Sequence, residues 1–371
     1  MSAAPSTDTV LPSFAERIRE AAASERALQL RGAGSKDFYG EAPTGEVLDT
    51  RAYAGVVDYE PTELVITARC GTPVDELEKL LDEHGQMLGF EPPRFGGDAT
   101  VGGAVAAGLS GPRRVACGSV RDFVLGIRLL DGQARDLSFG GRVMKNVAGY
   151  DVSRLVAGSL GTLALILEVS LKTLPKPVAE TTLRLETTEA DAIEKANRWA
   201  GRLPLSASAW NDGVLSVRLS GATAAVDGVR DVIGGEVVQD ASAWWTNVRD
   251  QTDPFFQAGP LWRLSVPTTT PAAAFDSLGG KRFIEWNGGV RWLSGSINAS
   301  AVREAAARHG GHATLFRSAP DDAAREAGVF QPLSPALAKL HRSLKAELDP
   351  GGVFDPGRLY RDSWMPMQTS I

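Results

Sequence analysis

Cysteine is scarce in this chain: only Cys70 and Cys117 occur among 371 residues, far from CxxC spacing. That excludes a disulfide scaffold, and this chain alone builds neither an iron–sulfur cluster nor a zinc site. Histidine is nearly as rare, and His84, His309, His312 and His341 contain no HExxH pair, so no metal site is expected. No long basic run exists and the formal net charge is −6, which argues against nucleic acid as a partner. The longest strongly apolar run, near Leu163–Leu167, is too short for a transmembrane segment. The opening MSAAPSTDTVLPSF lacks the basic-then-apolar pattern of a signal peptide. The expected location is the cytoplasm, peripheral to the inner face of the cell membrane where partners hold it there.

What is abundant is glycine. Forty glycines cluster in a few loops at no fixed period, which sets aside solenoids and collagen. With 43% hydrophobic residues the chain can bury a sizeable core, and its length suggests two domains.

Ser13 with Glu16 reads as a capping box opening a helix over residues 13–22. A strand at Ala27–Leu30 runs into Arg31-Gly-Ala-Gly-Ser-Lys36, and further strands are read near Val47–Asp49 and Leu64–Ala68. Thr72, Pro73 and Asp75 look like the start of a helix whose buried stripe is Val74, Leu77 and Leu81. Val124–Leu130 reads as a strand entering a hairpin at Asp131-Gly132, and Lys145–Val156 as a loop and helix start. Leu163–Leu171 reads as a buried strand, after which Pro175 and Pro177 mark a boundary. Beyond it, strand, helix and strand alternate: Thr181–Leu185, Asp191–Gly201 and Val214–Leu219, then Leu261–Val266, Val290–Ser294, Ala299–His309 and Ala313–Phe316. That pattern suggests an α+β unit of two fused ferredoxin-like halves. Leu337–Leu348 is a late helix.

Three strings carry chemistry. In Arg31–Lys36 the glycines allow backbone N–H groups to converge, which suits a pyrophosphate, although a plain glycine turn reads equally well. A Walker A loop and a Rossmann fingerprint both fail on context. In Gly96-Gly-Asp-Ala-Thr-Val-Gly-Gly-Ala-Val-Ala-Ala-Gly108, Thr100 can cap a thin helix whose first N–H groups would face an anion. By that reading, Gly102→Val should empty the site without unfolding the domain. The third string is Lys145-Asn-Val-Ala-Gly-Tyr-Asp-Val-Ser-Arg154 with Gly158-Ser-Leu-Gly-Thr162. Three glycine-rich turns at strand ends together suggest a long, multiply charged cofactor.

The succession RGAGSK, GTPVDELEKLL, EPPRFGGDATVGGAVAAGLSG, GSVRDFVLGIRLLDG and KNVAGYDVSRLVAGSLGTLALILEVSLKTLPKP resembles the FAD domain of the vanillyl-alcohol-oxidase-like, PCMH-type flavoproteins. VMKNVAGYDVSRL and the ending FDPGRLY resemble most the FAD-binding E-subunit branch of bacterial glycolate oxidases. The resemblance implies an α+β fold: a PCMH-type FAD-binding domain of two α/β subdomains over residues 1–177, then a ferredoxin-like cap over 178–335. Residues 336–371 would return to the FAD domain. It implies FAD contacts at Arg31, Gly32, Ala33, Gly34, Ser35, Lys36, Gly97, Thr100, Val101, Gly102, Gly103, Gly118, Ser119, Arg121, Asp122, Gly158, Gly161, Thr162 and Ile166.

Many relatives attach flavin through a histidine in the first glycine loop. Here that region holds Ser35 and Lys36, so noncovalent FAD is expected. The resemblance further implies glycolate oxidation to glyoxylate beside a second flavoprotein and an Fe–S subunit. A self-sufficient FAD-dependent 2-hydroxy acid dehydrogenase, or a structural subunit with a residual FAD site, are the alternatives. For a hydroxy acid carboxylate the candidate cations by strand placement are Arg263, Arg291 and Arg317, with Trp286 or Trp292 covering the ring.

Overall fold

The computed structural model describes residues 7–141 and 152–361. Helix α1 (Thr7–Ala23) begins the described chain and buries Val10, Phe14, Ile18 and Ala21 along one stripe. It starts upstream of Ser13 and runs through Pro12, so Ser13 lies within it and the capping box read there does not form. Strand β1 (Leu28–Arg31) pairs in parallel with β2 (Glu46–Asp49). Strands β3 (Val56–Glu60) and β4 (Val65–Arg69) then lead to α2 (Val74–Glu83). Val74, Leu77 and Leu81 are its buried residues, the stripe read from sequence. Its N-cap is Pro73 and not Thr72; the Thr72 hydroxyl accepts from Gly55 N at 2.9 Å.

After β5 (Gln86–Met87) come three short helices, α3 (Val101–Ala107), α4 (Arg114–Cys117) and α5 (Val120–Phe123). The hairpin β6 (Val124–Leu130) and β7 (Asp136–Gly140) follows, closed by buried Asp131, which accepts from Gln133 N and Arg135 N, both at 2.9 Å. The loop and cap read at Lys145 to Asp151 fall outside the described residues. Helix α6 (Val152–Leu155), strand β8 (Leu165–Lys172) and β9 (Leu174–Pro175) complete this half. The five-stranded sheet has order β3-β4-β8-β6-β7, and its neighbouring strands pair antiparallel. Its core gathers Phe14, Ile66, Leu77, Phe123, Leu129 and Leu167 with Phe354 from the far end of the chain.

The second sheet explains the alternation beyond residue 178. Strands β10 (Ala179–Glu186), β11 (Leu205–Asn211), β12 (Val214–Gly221) and β13 (Glu236–Val238) carry α7 (Glu189–Trp199) and α8 (Thr223–Ile233). They form one β-α-β-β-α-β unit, ordered β13-β10-β12-β11. After α9 (Ser242–Asp250), strands β14 (Leu261–Ser265), β15 (Lys281–Glu285), β16 (Val290–Ser294) and β17 (His312–Arg317) form a second unit. There α10 (Ala299–Arg308) is one crossover, while a 3-10 segment at Ala272–Leu278 replaces the other helix. The units join edge to edge as one eight-stranded sheet in which β11 pairs β15, Ala209 opposite Glu285. This is the doubled ferredoxin-like architecture expected from the sequence.

One face of the large sheet lies under the helices, with Leu264, Leu293, Val302 and Phe275 in one cluster and Leu183, Val217 and Val226 in another. The other face packs Phe283, Trp286, Trp292 and Phe316 against Tyr39, Ala107 and Leu109 of the first half. Helix α11 (Pro335–Leu348) then brings the chain back to the first half.

Candidate functional site

The first glycine loop leaves β1 with unspent hydrogen-bond donors. Among the described residues, none of the N–H groups of Gly32 through Lys36 donates to a protein acceptor. A Cβ on Gly32 would overlap the Thr100 hydroxyl, and Gly34 has φ +76°, so both positions need glycine. Arg31 lies across Gly34, its Nε donating to Asp37 Oδ2 at 2.7 Å. From behind, Arg358 donates to Asp37 O at 3.0 Å and to Glu41 O, which fixes the outer arm of the loop. Leu28 N donates to Val353 O at 2.7 Å and Asp355 N to Leu28 O at 2.9 Å, so residues 353–355 extend the β1 edge. Lys345 ties this return in place, donating to Thr162 O at 2.6 Å, Phe354 O at 2.8 Å and Asp349 Oδ2 at 2.7 Å.

Helix α3 behaves differently. Thr100 is its N-cap, the hydroxyl accepting from Gly103 N at 3.3 Å. The next donors are already taken, however: Val101 N donates to Thr72 O at 2.9 Å and Gly102 N to Cys70 O at 2.8 Å. The open anion site read at this helix end is therefore not there. Gly102 is glycine for packing, since a Cβ would stand 2.6 Å from Cys70 Cβ. Gly103 and Ala106 turn toward the loop and form a shallow floor. At the other end of α3, Gly108 and Gly158 both have positive φ and nearly touch. Gly158 N donates to Val105 O at 3.1 Å and Leu160 N to Ala106 O at 2.8 Å, which lays the Leu160–Gly161 turn along the cleft.

The structure thus brings Arg31, Gly32, Ala33, Gly34, Ser35, Lys36, Thr100, Gly102, Gly103, Gly161 and Ile166 to one continuous cleft. It does not bring the others to its wall. Gly97 stands behind Ser35, Val101 is core, and Gly158 serves the glycine contact. Ser119 and Asp122 build a capping box, Gly118 is the C-cap of α4, and Arg121 donates to Ala157 O at 3.4 Å. Thr162 is fully buried, its hydroxyl donating to Ser159 O at 2.7 Å. Sequence reasoning missed Thr50, Cys70, Leu160, Asp355 and Arg358. The FDPGRLY string carried a signal for the last two.

Charge in the cleft is set by burial. It pushes the Lys36 amine down to about 8, against the pull of Asp250. Burial lifts the Cys70 thiol to about 12 and the Cys117 thiol to about 11, so neither is an attachment nucleophile near neutral pH. His84 sits at the C-cap of α2, edge-on to Tyr59, and does not line the cleft.

A second pocket opens where the sheet of eight meets the first half. Phe95, Ser110 and Gly111 form one wall, and Arg263, Glu285 and Trp286 belong to the other. Lys36 Nζ lies 5.6 Å from the Phe95 ring centre, so this pocket adjoins the cleft. Trp286 and Asn287 both hold left-handed backbone, φ +54° and +56°. Asn287 is secured by Ser208 Oγ, which donates to Asn287 Oδ1 at 2.7 Å and accepts from Asn287 N at 2.9 Å. The Trp286 indole donates to Gly111 O at 3.1 Å across the boundary.

The three candidate arginines separate. Arg263 enters this pocket, 5.0 Å from the Trp286 ring centre and 5.9 Å from that of Trp292. Arg317 stacks on Phe38 at 4.5 Å and donates to Phe256 O at 3.3 Å at the pocket's edge. Arg291 does not reach it. Its register opposite Leu264 turns it to the helix-covered face, where Thr270 O and Gly288 O accept from it and Glu189 lies 3.4 Å away. That removes Arg291 as a carboxylate ligand, because a one-residue step along a strand reverses the face. His309 caps α10 and His312 opens β17 on an exposed turn; no metal-holding cluster exists among the described residues.

Comparison with known proteins agrees with this geometry. The FAD binding domain family matches residues 12–140. Glycolate oxidase subunit GlcE of Escherichia coli is 45% identical over 349 residues, 94% of this chain and 96% of that one. Glycolate oxidase subunit GlcD of Bacillus subtilis is 30% identical over 155 residues, 41% of this chain and 33% of GlcD. Among solved structures, alkyldihydroxyacetonephosphate synthase superposes with a TM-score of 0.64 at 15% identity, covering 93% of this chain and 75% of the other, a likeness of fold. With nearly half its residues shared along almost the full length of both chains, this protein belongs to the GlcE family of glycolate oxidase subunits.

Proposed function

We propose that this chain is the FAD-binding subunit of a glycolate-oxidising complex, holding FAD noncovalently and passing its electrons to partner subunits. One observation carries the reading: the run of N–H groups from Gly32 to Lys36 that no protein acceptor among the described residues satisfies. Buried or half-buried donors without acceptors cost stability, and a pyrophosphate supplies acceptors at this spacing. Arg31 and Lys36 add positive charge at the same loop. Gly103 and Ala106 keep the opposite wall low, and Leu160 to Ile166 offer an apolar border to a ring system. When bound, FAD supplies two-electron acceptance with release of electrons singly.

The chain's own part is to bind, orient and exclude. Arg358 and Lys345 hold the loop and the Thr162 turn from behind, so the donors keep one arrangement. The inert thiols of Cys70 and Cys117, with no histidine among the described residues that line the cleft, support noncovalent attachment. Onward electron transfer calls for an Fe–S subunit, since two separate cysteines cannot ligate a cluster, and a second flavoprotein is the other partner in this reading. Among the described residues no helix is long and apolar enough to cross a membrane. We place the chain at the membrane's inner face through those partners. The domain division proposed is 1–177 for FAD, 178–335 for the cap, and 336–371 returning to the first.

The test is the visible spectrum of the purified chain, followed by denaturation and identification of what is released. FAD freed into solution at about one per chain is expected. A chain that stays colourless even with its partners, or a flavin that stays attached after unfolding, sinks the reading.

A further inference from the structure

The pocket between the two sheets holds charged groups that the cofactor loop does not use. Arg263 is enclosed between Trp286 and Trp292 on the inner face, yet among the described residues it has no hydrogen-bond or ion-pair partner. Glu285 stands on the same face at the seam of the two ferredoxin-like units, 6% exposed. Its Oε1 accepts from the Trp292 indole at 2.7 Å. The two charges line one cavity without forming an ion pair. Gln251 lines it too, 4% exposed, with its side-chain oxygen unsatisfied. A cation without an anion and a buried acceptor without a donor are each costly, and together they define a complement. That complement carries a carboxylate at one end and a hydroxyl close by.

We propose that this pocket binds a small 2-hydroxy carboxylate, with Arg263 holding the carboxylate and Glu285 taking the proton of the hydroxyl. The inference rests on the FAD reading and goes beyond it: the chain has its own substrate site. The step balances as follows for glycolate. The C–H bond at C2 breaks and its hydride, two electrons and one proton, goes to the bound FAD as oxidant. The O–H proton goes to the Glu285 carboxylate, the C=O bond of glyoxylate forms, and Arg263 keeps the spectator carboxylate in place. The single hydroxyl hydrogen turns from the Gln251 oxygen to Glu285 for the transfer.

Burial raises the Glu285 carboxyl to about 7, against the pull of Arg263 and the Trp292 hydrogen bond, with Glu91 adding to the rise. The other charges around the pocket are already engaged or shielded. Arg249 pairs with Asp250 at 2.8 Å, Glu91 with Arg218 at 2.8 Å, and Arg114 lies over the Trp286 ring at 4.4 Å. Tyr39 and His312 both feel Arg263, Tyr39 with its hydroxyl held neutral by burial and His312 held below the ordinary imidazole range. A carboxyl that must be charged to accept a proton therefore becomes competent as pH rises through about 7.

The experiment uses the full chain, with its FAD content measured in every sample. Glycolate is titrated in while tryptophan emission reports binding and, without oxygen, flavin absorbance reports reduction. The expected result is saturable quenching and bleaching in the wild type, with a bleaching rate that climbs through about pH 7. Arg263→Met should weaken glycolate binding at least roughly tenfold. Glu285→Gln keeps an acceptor for Trp292, so binding should stay within about threefold while bleaching slows roughly hundredfold and loses its pH dependence. Glu285→Asp should restore the pH dependence at a reduced rate. Glycolate that neither quenches nor bleaches a chain loaded with FAD overturns the proposal and leaves the FAD reading standing. Glu285→Gln bleaching at the wild-type rate overturns it as well. A chain without FAD sinks the earlier reading, and tryptophan quenching abolished by Arg263→Met still upholds the carboxylate site.

Discussion

Two glycine-rich segments face one another across the cleft, and they spend glycine on different ends. In the Arg31–Lys36 loop the missing side chains leave backbone donors open toward the space between the walls. In α3 the first donors are consumed by Thr72 O and Cys70 O, and Gly102 serves to bring the helix against β4. A glycine that admits a ligand and one that admits a neighbouring strand look the same in a string of letters. What separates them is where the acceptors for their N–H groups lie.

Substitution can sharpen that contrast. The largest effect is expected at Gly102→Val, where the new side chain meets Cys70 inside the core and should cost about 1–3 kcal/mol, read as a lowered denaturant midpoint of the apoprotein. Gly103→Val, one residue on, has only the Thr100 hydroxyl near its Cβ, at 3.1 Å, and faces the cleft. It should leave the apoprotein midpoint nearly unchanged while weakening FAD binding at least roughly tenfold, as measured by equilibrium fluorescence. Equal behaviour of the two variants would erase the contrast.

Lys36 tests the loop by charge. Its amine is held at about 8 without a ligand, and a phosphate anion nearby raises it. Binding then takes up a proton above that pH, so FAD affinity should fall up to about tenfold from pH 7 to pH 9, and Lys36→Met should flatten the dependence. A wild-type affinity that is flat over this range would place the phosphates elsewhere. Thr100→Ala should cost about 1 kcal/mol through the lost cap, the smallest effect of the set.

Much of the first half was legible because its signals are local. Val74, Leu77 and Leu81 repeat at helical spacing and are buried together. Thr100 caps as read, and the Arg31–Lys36 loop lies at the end of a strand. What failed depended on partners distant in sequence. Nothing near Val101 announces that Thr72 O will claim its N–H, and nothing near Arg291 fixes which face of β16 will meet the helices. Strands β11, β13 and β15 escaped notice because LSASAWN is small and polar, EVV is very short, and KRFIE lacks an alternating apolar pattern. Their pairing comes from sheet neighbours and not from their own composition.

The return of residues 345–358 to the cleft has a consequence in time. The Arg31–Lys36 loop emerges from synthesis early, but its supports at Phe354 and Arg358 are made more than 300 residues later. At a ribosomal pace of about 5–20 residues per second, the loop waits at least roughly 15 seconds for them. During that interval the contacts that Lys345 and Arg358 make behind the loop cannot form. A chain cut before Lys345 lacks these contacts and is expected to hold FAD less tightly than the full chain.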